Sequence, residues 1–337
     1  MSLKKLSTCG EKLFMIKLLL LSAGTNACFH VAKTLQDKYK DKFYIIGADI
    51  NEEYLIPTIG YLNVFYKVPP TKAPGYYEAI IDICKKEKAD VILPSFDEDQ
   101  KLFNPDNPDL QALGIKSLGT TQKSLSVYAD KVRTYEFMNS HNLPLPRLFQ
   151  MAEVCEDKAY FIKPKNGCAS IGTRKICGHE LLNFKEYSNF LIQEVCSEPE
   201  FTLECFYYHN RLFSVARERI AAKAGVCVKA RVFKDEKLHA IAERFVSVLE
   251  TPLYFNLQFM NNADGCPVIT DVNLRLAGGM SLSYAAGWDE VSALADILLE
   301  KDDEEVFSHI SAAIPEQFVV RAYTDIVTKK SDDNGCF

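Results

Sequence analysis

Three groups of polar residues stand at spacings that could do chemistry. The first lies in "FIKPKNGCASIGTRK", residues 161–175. Gly167 and Gly172 have the spacing of a G-x-x-x-x-G-K-[ST] phosphate loop, but Thr173 and Arg174 occupy the places of its Lys and Ser/Thr. A true phosphate loop leads from a strand into a helix, whereas this one joins two short strands and reads as a hairpin-like flap. Its small residues Gly167, Ala169, Ser170 and Gly172 would let main-chain N–H groups approach phosphate oxygens. Lys163, on the strand beneath, would add a fixed positive charge. A surface hairpin with an exposed lysine explains the same stretch equally well. Lys165 stands either at the flap base or in solvent.

The second group is "LIQEVCSEPEFTLECF", residues 191–206. A strand leads into Gln193, Glu194 and Val195, with Glu200 and Glu204 beyond. The backbone of such a segment can read an adenine, and a later carboxylate can take ribose hydroxyls. On its own, a hairpin with solvated glutamates is the simpler account. The third group is "NLQFMNNADGCPVITDVNLRLAGG", residues 256–279. Asp271, Asn273 and Arg275 alternate along one strand and share a face, while Ile269, Val272 and Leu274 are read as an apolar other face. An antiparallel partner would bring Gln258 beside Asp271 and Asn273. An oxygen-only set with few ligands suits Mg²⁺, which keeps waters and takes phosphate oxygens. A solvent-facing strand also alternates, but this polar ladder runs into Ala277, Gly278 and Gly279, which favours a site.

The elements that must position these groups follow from apolar periodicity. Residues 15–117 alternate short apolar runs ("IKLLLLSA", "FYIIGADI", "DVILPSF") with amphipathic helices ("NACFHVAKTLQDKY", "GYYEAIIDICKKEKA"). That pattern predicts a parallel, doubly wound α/β domain. Gly24 after the first strand and Asp49 at the end of the second invite a dinucleotide-binding reading, but "SAGTNACF" lacks G-x-G-x-x-G. Residues 118–150 read as helical until two prolines, and 159–276 as successive strands of an antiparallel or mixed sheet. One helix over "SLSYAAGWDEVSALADILLE", with Trp288 in its core, and a last strand over "FVVRAYTDIV" complete the chain. Residues 1–14 read as a leader or tag and 331–337 as a tail, with "MIKLLLLSA" a strand rather than a signal peptide.

The 337 residues are enough for two or three domains. A net charge of -6 without a dense basic block argues against a nucleic-acid partner. The eleven cysteines form no C-x-x-C pair, and their odd count and scatter suggest a reducing, cytoplasmic setting. No histidine pair has metal-ligand spacing, so no zinc site is expected, and no apolar run is long enough for a membrane span.

In order and spacing together, the three groups resemble the ATP-grasp superfamily. The nearest layouts are the carbamoyl-phosphate synthetase large-subunit halves and small carboxylate–amine ligases such as the pyrrolysine-pathway ligase. The resemblance covers roughly residues 15 to 328. It rests on "DVILPSFDED", "ADKVRTYEFMNSHNLPLP", "FIKPKNGCASIG", "QEVCSEPEFTLE" and "NLQF…ITDVNLRLAGG". It implies an α/β and α+β architecture, with a pre-ATP-grasp parallel domain at 15–117 followed by two subdomains that clamp ATP, at 118–192 and 193–330. By the same resemblance, Lys131 and Lys163 contact ATP phosphates and Gly167, Ser170 and Gly172 belong to a lid. Gln193, Glu194 and Val195 line the adenine, and Glu200 holds the ribose. Gln258, Asp271 and Asn273 bind Mg²⁺, with Mn²⁺ an acceptable substitute, and Arg275 stabilises the transferred phosphoryl group. Arg217 and Arg219 in "SVARERI" match a strand facing the acceptor site, where Arg suits carboxylate contacts; Gly278 and Gly279 join them there. A surface salt bridge is the competing account of either arginine.

The chain departs from the family pattern at three places. Asp271 stands where Glu is usual, "VNLR" replaces the common "NPR", and Gln258 is neutral where many members carry an acid. The implied reaction is ADP-forming ligation of a small carboxylate to an amine through an acyl phosphate, and a homodimer is compatible with the resemblance. The alternatives are an ATP-binding sensor or subunit without turnover and a nicotinamide-dependent oxidoreductase built on the first sheet.

Overall fold

Leu18, Leu19, Leu20 and Leu21 in succession require a strand covered on both faces, and all four are fully buried in β1 (Ile16–Leu21). The computed structural model describes residues 15–128, 130–165, 172–223, 226–248 and 250–329. The predicted leader and tail lie outside these residues. β1 is the centre of a parallel five-stranded sheet with β2 (Phe43–Asp49), β3 (Val64–Lys67), β4 (Val91–Pro94) and β5 (Lys116–Ser117), in the order β3-β2-β1-β4-β5. Helices α1 (Asn26–Tyr39), α2 (Tyr76–Glu87) and α3 (Asp97–Leu102) follow β1, β3 and β4. Thr25 caps α1 by accepting from Cys28 N–H at 3.3 Å. The strand order reverses between β1 and β4, so a crevice opens at their carboxyl ends.

A smaller antiparallel sheet follows, made of β6 (Ala159–Pro164), β7 (Arg174–Cys177) and β8 (Phe190–Gln193) in the order β7-β6-β8. Tyr160 and Ile162 face its small core with Ile176, Leu181 and Ile192. Period-2 alternation therefore turns Phe161 and Lys163 to the opposite face. The third sheet has six strands, in the order β13-β12-β9-β10-β11-β14. These are β9 (Ser197–Tyr208), β10 (Arg211–Lys223), β11 (Val226–Phe233), β12 (Tyr254–Asn261), β13 (Pro267–Asn273) and β14 (Gln317–Val320). The first and third sheets share one hydrophobic core, in which Leu18, Val31 and Leu35 join Phe206, Trp288 and Leu294.

The observed elements correct several expectations. β3 was not anticipated: four residues after two 3₁₀ turns, three of them half-buried and Lys67 exposed, carry too little pattern. β11 and the helix Glu236–Val248 were also missed, although Leu238, Ala242 and Phe245 stripe that helix at helical spacing. The expected helix over 281–300 is two, Met280–Ala285 and Glu290–Leu298. Gly287 takes φ +102°, which a side-chain-bearing residue adopts only with strain. Asp289 then caps the second helix through Ser292 N–H. Trp288 is buried in the turn between them, not inside a helix. The last strand stops at Val320. Asp49 spends its carboxylate on Gly24 N–H at 2.7 Å and on Asn51 N–H at 2.9 Å. It therefore closes the β1 turn, and the dinucleotide reading loses its ribose acid.

Candidate active site

The metal-type residues stand on β12 and β13. These strands pair antiparallel with Gln258 opposite Asp271 and Asn256 opposite Asn273. Asn273 Nδ2 reaches Asp271 Oδ2 at 3.4 Å, and Arg275 Nη2 reaches Asn273 Oδ1 at 3.3 Å. The register slips between Gln258 and Phe259, because Phe259 pairs with Ile269 and Thr270 has no opposite residue. Such a bulge turns a carbonyl out of the ladder. The Thr270 carbonyl accepts from Lys163 Nζ at 2.6 Å, while Thr270 Oγ1 donates to Gln258 O at 3.2 Å. Lys163 comes from β6, so this bond joins the three-stranded sheet to the six-stranded one.

Burial is the main reason the Lys163 ammonium is held below the ordinary lysine pKa; Asp271 opposes that shift and Lys131 adds to it. The three groups thus share one electrostatic site. Lys131 is the first residue of the helix Lys131–Ser140, which Asp130 caps through Val132 and Arg133 N–H. A cleft of about 990 Å³ is lined by Lys131, Lys163, Gln193, Glu200, Gln258, Asp271, Asn273 and Arg275 together. Gly278 and Gly279 lie on its floor. Its other wall belongs to the first domain, with Asn26, Lys72 and Asp97.

Several expected residues take other places. Gly167 and Ser170 lie outside the described residues. Gly172 has φ +80°, with room for a Cβ only 3.0 Å from Pro164 Cγ, and forms the returning base of the flap. The Glu194 side chain is committed elsewhere: it accepts from Arg147 N–H at 2.7 Å and Ala263 N–H at 3.2 Å. Its own N–H donates to Arg147 O at 2.9 Å. Glu194 thus ties two loops together, and an adenine contact from it is left to its carbonyl. Val195 is half-buried in the loop between β8 and β9. Glu200 is paired with Arg219 at 2.5 Å, so ribose acid and predicted acceptor anchor neutralise each other.

Arg217 requires a correction. Its guanidinium is 3% exposed and gives both Nε (3.0 Å) and Nη2 (2.7 Å) to Glu204 Oε1. Ser283 Oγ donates to the same oxygen at 2.9 Å. Arg217 lines the cleft, but its Nε and Nη2 are committed to Glu204, so its observed contacts are those of an internal ion pair. A Cβ on Gly279 would lie 2.5 Å from the Arg217 guanidinium carbon, which is why the floor ends in glycine. Burial and then Glu204 push the neighbouring Glu290 carboxyl well above its usual range. Two further residues escaped sequence reasoning. Thr270 was hidden because a bulge is a property of two strands, and Asp97, which accepts from Arg275 Nε at 2.8 Å, lies 178 residues from its partner.

Two family profiles match consecutive parts of the chain. One, described as a PylC-like N-terminal domain, matches residues 18–118; the other, described as ATP-grasp in the biosynthetic pathway with Ter operon, matches residues 186–324. The chain has the ATP-grasp fold, and an ATP-grasp family profile covers its residues 186–324. Solved structures of the same fold include the biotin carboxylase domain of 2-oxoglutarate carboxylase from Hydrogenobacter thermophilus, in complex with MgADP, ADP and bicarbonate. That match has a TM-score of 0.68 at 13% identity, covering 82% of this chain and 68% of the other. N5-carboxyaminoimidazole synthetase from Staphylococcus aureus matches with a TM-score of 0.64 at 12% identity, covering 91% and 80%. L-amino acid ligase from Bacillus licheniformis matches with a TM-score of 0.65 at 13% identity, covering 87% and 76%. No curated protein matches this chain in sequence. Among its described residues no helix is long and apolar enough to cross a membrane.

The donor set accords with a divalent cation that arrives with a nucleotide. Gln258, Asp271 and Asn273 offer hard oxygen ligands but a single carboxylate. Among the described residues no three His, Cys, Asp or Glu converge as a ready-made cage. Mg²⁺ binds in that way, through one or two carboxylates plus substrate phosphates.

Proposed function

We propose that this protein is an ATP- and Mg²⁺-dependent ligase that activates a small carboxylate as an acyl phosphate and joins it to an amine. The observation that carries the reading is the convergence, in one cleft, of the buried Lys163 with Asp271, Asn273 and Arg275 from another sheet. Mg²⁺ held by Gln258, Asp271 and Asn273 would neutralise phosphate charge. A carboxylate oxygen of the acid attacks the γ-phosphorus, and the bond to the β-γ bridging oxygen breaks to leave ADP. The amine then attacks the acyl carbon, phosphate leaves with the bonding electrons, and the amine loses a proton. Lys163 and Lys131 hold phosphate oxygens, and Arg275 meets the charge on the phosphoryl group in transfer. No side chain has to supply a nucleophile, so catalysis is positioning and charge neutralisation. A carbamoyl-phosphate synthetase-like reaction, with bicarbonate as acid and ammonia as amine, is one specific form.

The test is a screen of ADP release against carboxylic acids, bicarbonate included, with and without amines. ADP release should require both the acid and Mg²⁺. Asp271→Ala should lower the rate by at least about a hundredfold, since removing a dominant electrostatic group at phosphoryl transfer costs that much. Near-normal turnover in that variant would remove the metal assignment. Nucleotide binding without turnover across the panel would favour the sensor reading, and the assembly state should be read by light scattering alongside.

A further inference from the structure

Building on the role proposed for Arg275, we propose that Asp97 of the first domain is a positioning residue that sets the orientation of the Arg275 guanidinium. Arg275 Nε donates to Asp97 Oδ1 at 2.8 Å. Its contacts with Asn273 Oδ1 and Leu276 O are longer, at 3.3 and 3.4 Å. The short contact to a residue of opposite charge therefore comes from another domain.

The place of Asp97 is built in. Helix α3, which Asp97 begins, is tied to the backbone beside Arg275 by a second, buried route. Gln100 Nε2 donates to Pro94 O at 2.9 Å, and Gln100 Oε1 accepts from Thr120 N–H at 2.7 Å. Thr120 Oγ1 then donates to the carbonyl of Leu274, the residue before Arg275, at 2.9 Å. Gln100 and Thr120 are both buried. Close by, Tyr254 Oη donates to Leu118 O at 2.7 Å. The carboxylate and the arginine backbone are thus held in one frame, which an adventitious surface pair would lack.

The pair itself is partly exposed, 24% for Arg275 and 40% for Asp97, so solvent screens it and its effect on stability is small. Its consequence is geometric. A guanidinium is a planar fork of five donors, and fixing Nε fixes the direction in which its terminal nitrogens point. Both residues line the cleft, so those nitrogens are set toward an anion there. The rival account makes Asp97 a competitor that blocks Arg275 until an anionic substrate displaces it, and it predicts the opposite sign.

The experiment compares wild type, Asp97→Ala and Asp97→Asn. Asn keeps an acceptor oxygen on the same stem and removes only the charge. Asp97→Ala should lower kcat at least about tenfold with KM for ATP changed less than about twofold, because misplacing a charge-stabilising group affects the transition state. Asp97→Asn should recover most of that loss. A second readout needs no turnover: labelling of Arg275 by phenylglyoxal, followed by peptide mass spectrometry, should be faster in Asp97→Ala than in the other two proteins. Melting curves establish that each variant is folded, and Asp97→Leu repeats the first arm should Ala fail to fold. An Asp97→Ala protein as active as wild type or more so overturns the proposal. So does an Asp97→Asn protein as impaired as Asp97→Ala, or equal labelling in all three. If wild type forms no ADP with any acid, the ligase reading fails, and the labelling arm still decides whether Asp97 holds Arg275.

Discussion

The buried Arg217–Glu204 pair beside the cleft lends itself to a quantitative test. Its two side chains are 3% and 1% exposed, and all the recorded donors to Glu204 Oε1 are Arg217 and Ser283. Arg217→Met would leave the Glu204 carboxylate in the interior with one hydroxyl donor, within electrostatic reach of the buried Glu290. Stripping a partner from a buried ion pair costs about 3–5 kcal/mol. Replacing both partners by apolar groups, as in Arg217→Met with Glu204→Leu, should return stability to within about 1 kcal/mol of wild type, because the desolvation cost goes with the charges. With each single substitution costing about 3–5 kcal/mol and the double at most about 1, the coupling from the cycle would be at least about 5 kcal/mol, against less than about 1 for an exposed pair. Urea unfolding read by fluorescence, with midpoints compared at constant slope, measures all four proteins. Gly279→Ala should lower stability as well, since its new methyl displaces the guanidinium. A loss below about 1 kcal/mol for Arg217→Met would refute the reasoning, since exposed pairs behave that way. A small loss of stability with a large rise in KM for the acid would restore Arg217 as a substrate anchor.

Two more outcomes follow from the titrating groups. Glu290 keeps its proton in the folded protein well above the ordinary carboxylate range, so its contribution is fully present below the unfolded value and is lost as pH rises toward the folded one. Glu290→Gln should flatten that decline, read as the unfolding midpoint between about pH 5 and pH 8; an unchanged slope would refute the assignment. Lys163 is held low chiefly by burial, and a polyphosphate beside it would raise it, so ATP should bind with proton uptake and bind more weakly as pH rises. Calorimetry in two buffers of different ionisation enthalpy measures the uptake; Lys163→Met should abolish it, and identical uptake in the variant would count against Lys163 as the phosphate contact.

Legibility in the sequence followed the range of the interaction. β1, α1, α2 and β4 were readable because burial on one or both faces imposes a period that a dozen residues display. The facing of Gln258 and Asp271 was readable because two adjacent strands joined by a short turn have few registers to choose from. The bulge at Thr270 was not, since it depends on how β12 and β13 fit together. Arg217 looked like a surface or cleft arginine because its neighbours on β10 are mixed, and only the packing of Ser283 and Gly279 over it decides its fate. The break at Gly287 did carry a signal, a glycine followed by an Asp cap, and the apolar run around it masked that signal. The tie between Asp97 and Arg275 joins residues 178 positions apart and has no local trace.

These long-range ties explain how a site of scattered parts can be positioned. Lys163 belongs to a small sheet with its own core, yet its ammonium rests on a carbonyl of β13. Arg275 follows β13, yet its guanidinium rests on a carboxylate of the first domain. Lys163 and Arg275, both proposed for phosphoryl transfer, are thus each steadied by a part of the fold other than their own. A nucleotide entering the cleft would exchange the Lys163–Thr270 bond for contacts with phosphate, so occupancy and the spacing of the three-stranded and six-stranded sheets are coupled. The Asp97–Arg275 bond would not need to break in that exchange, because Nε is the nitrogen it uses and the terminal nitrogens remain the side that meets an anion. The site therefore combines one contact that nucleotide would replace with one that it would retain.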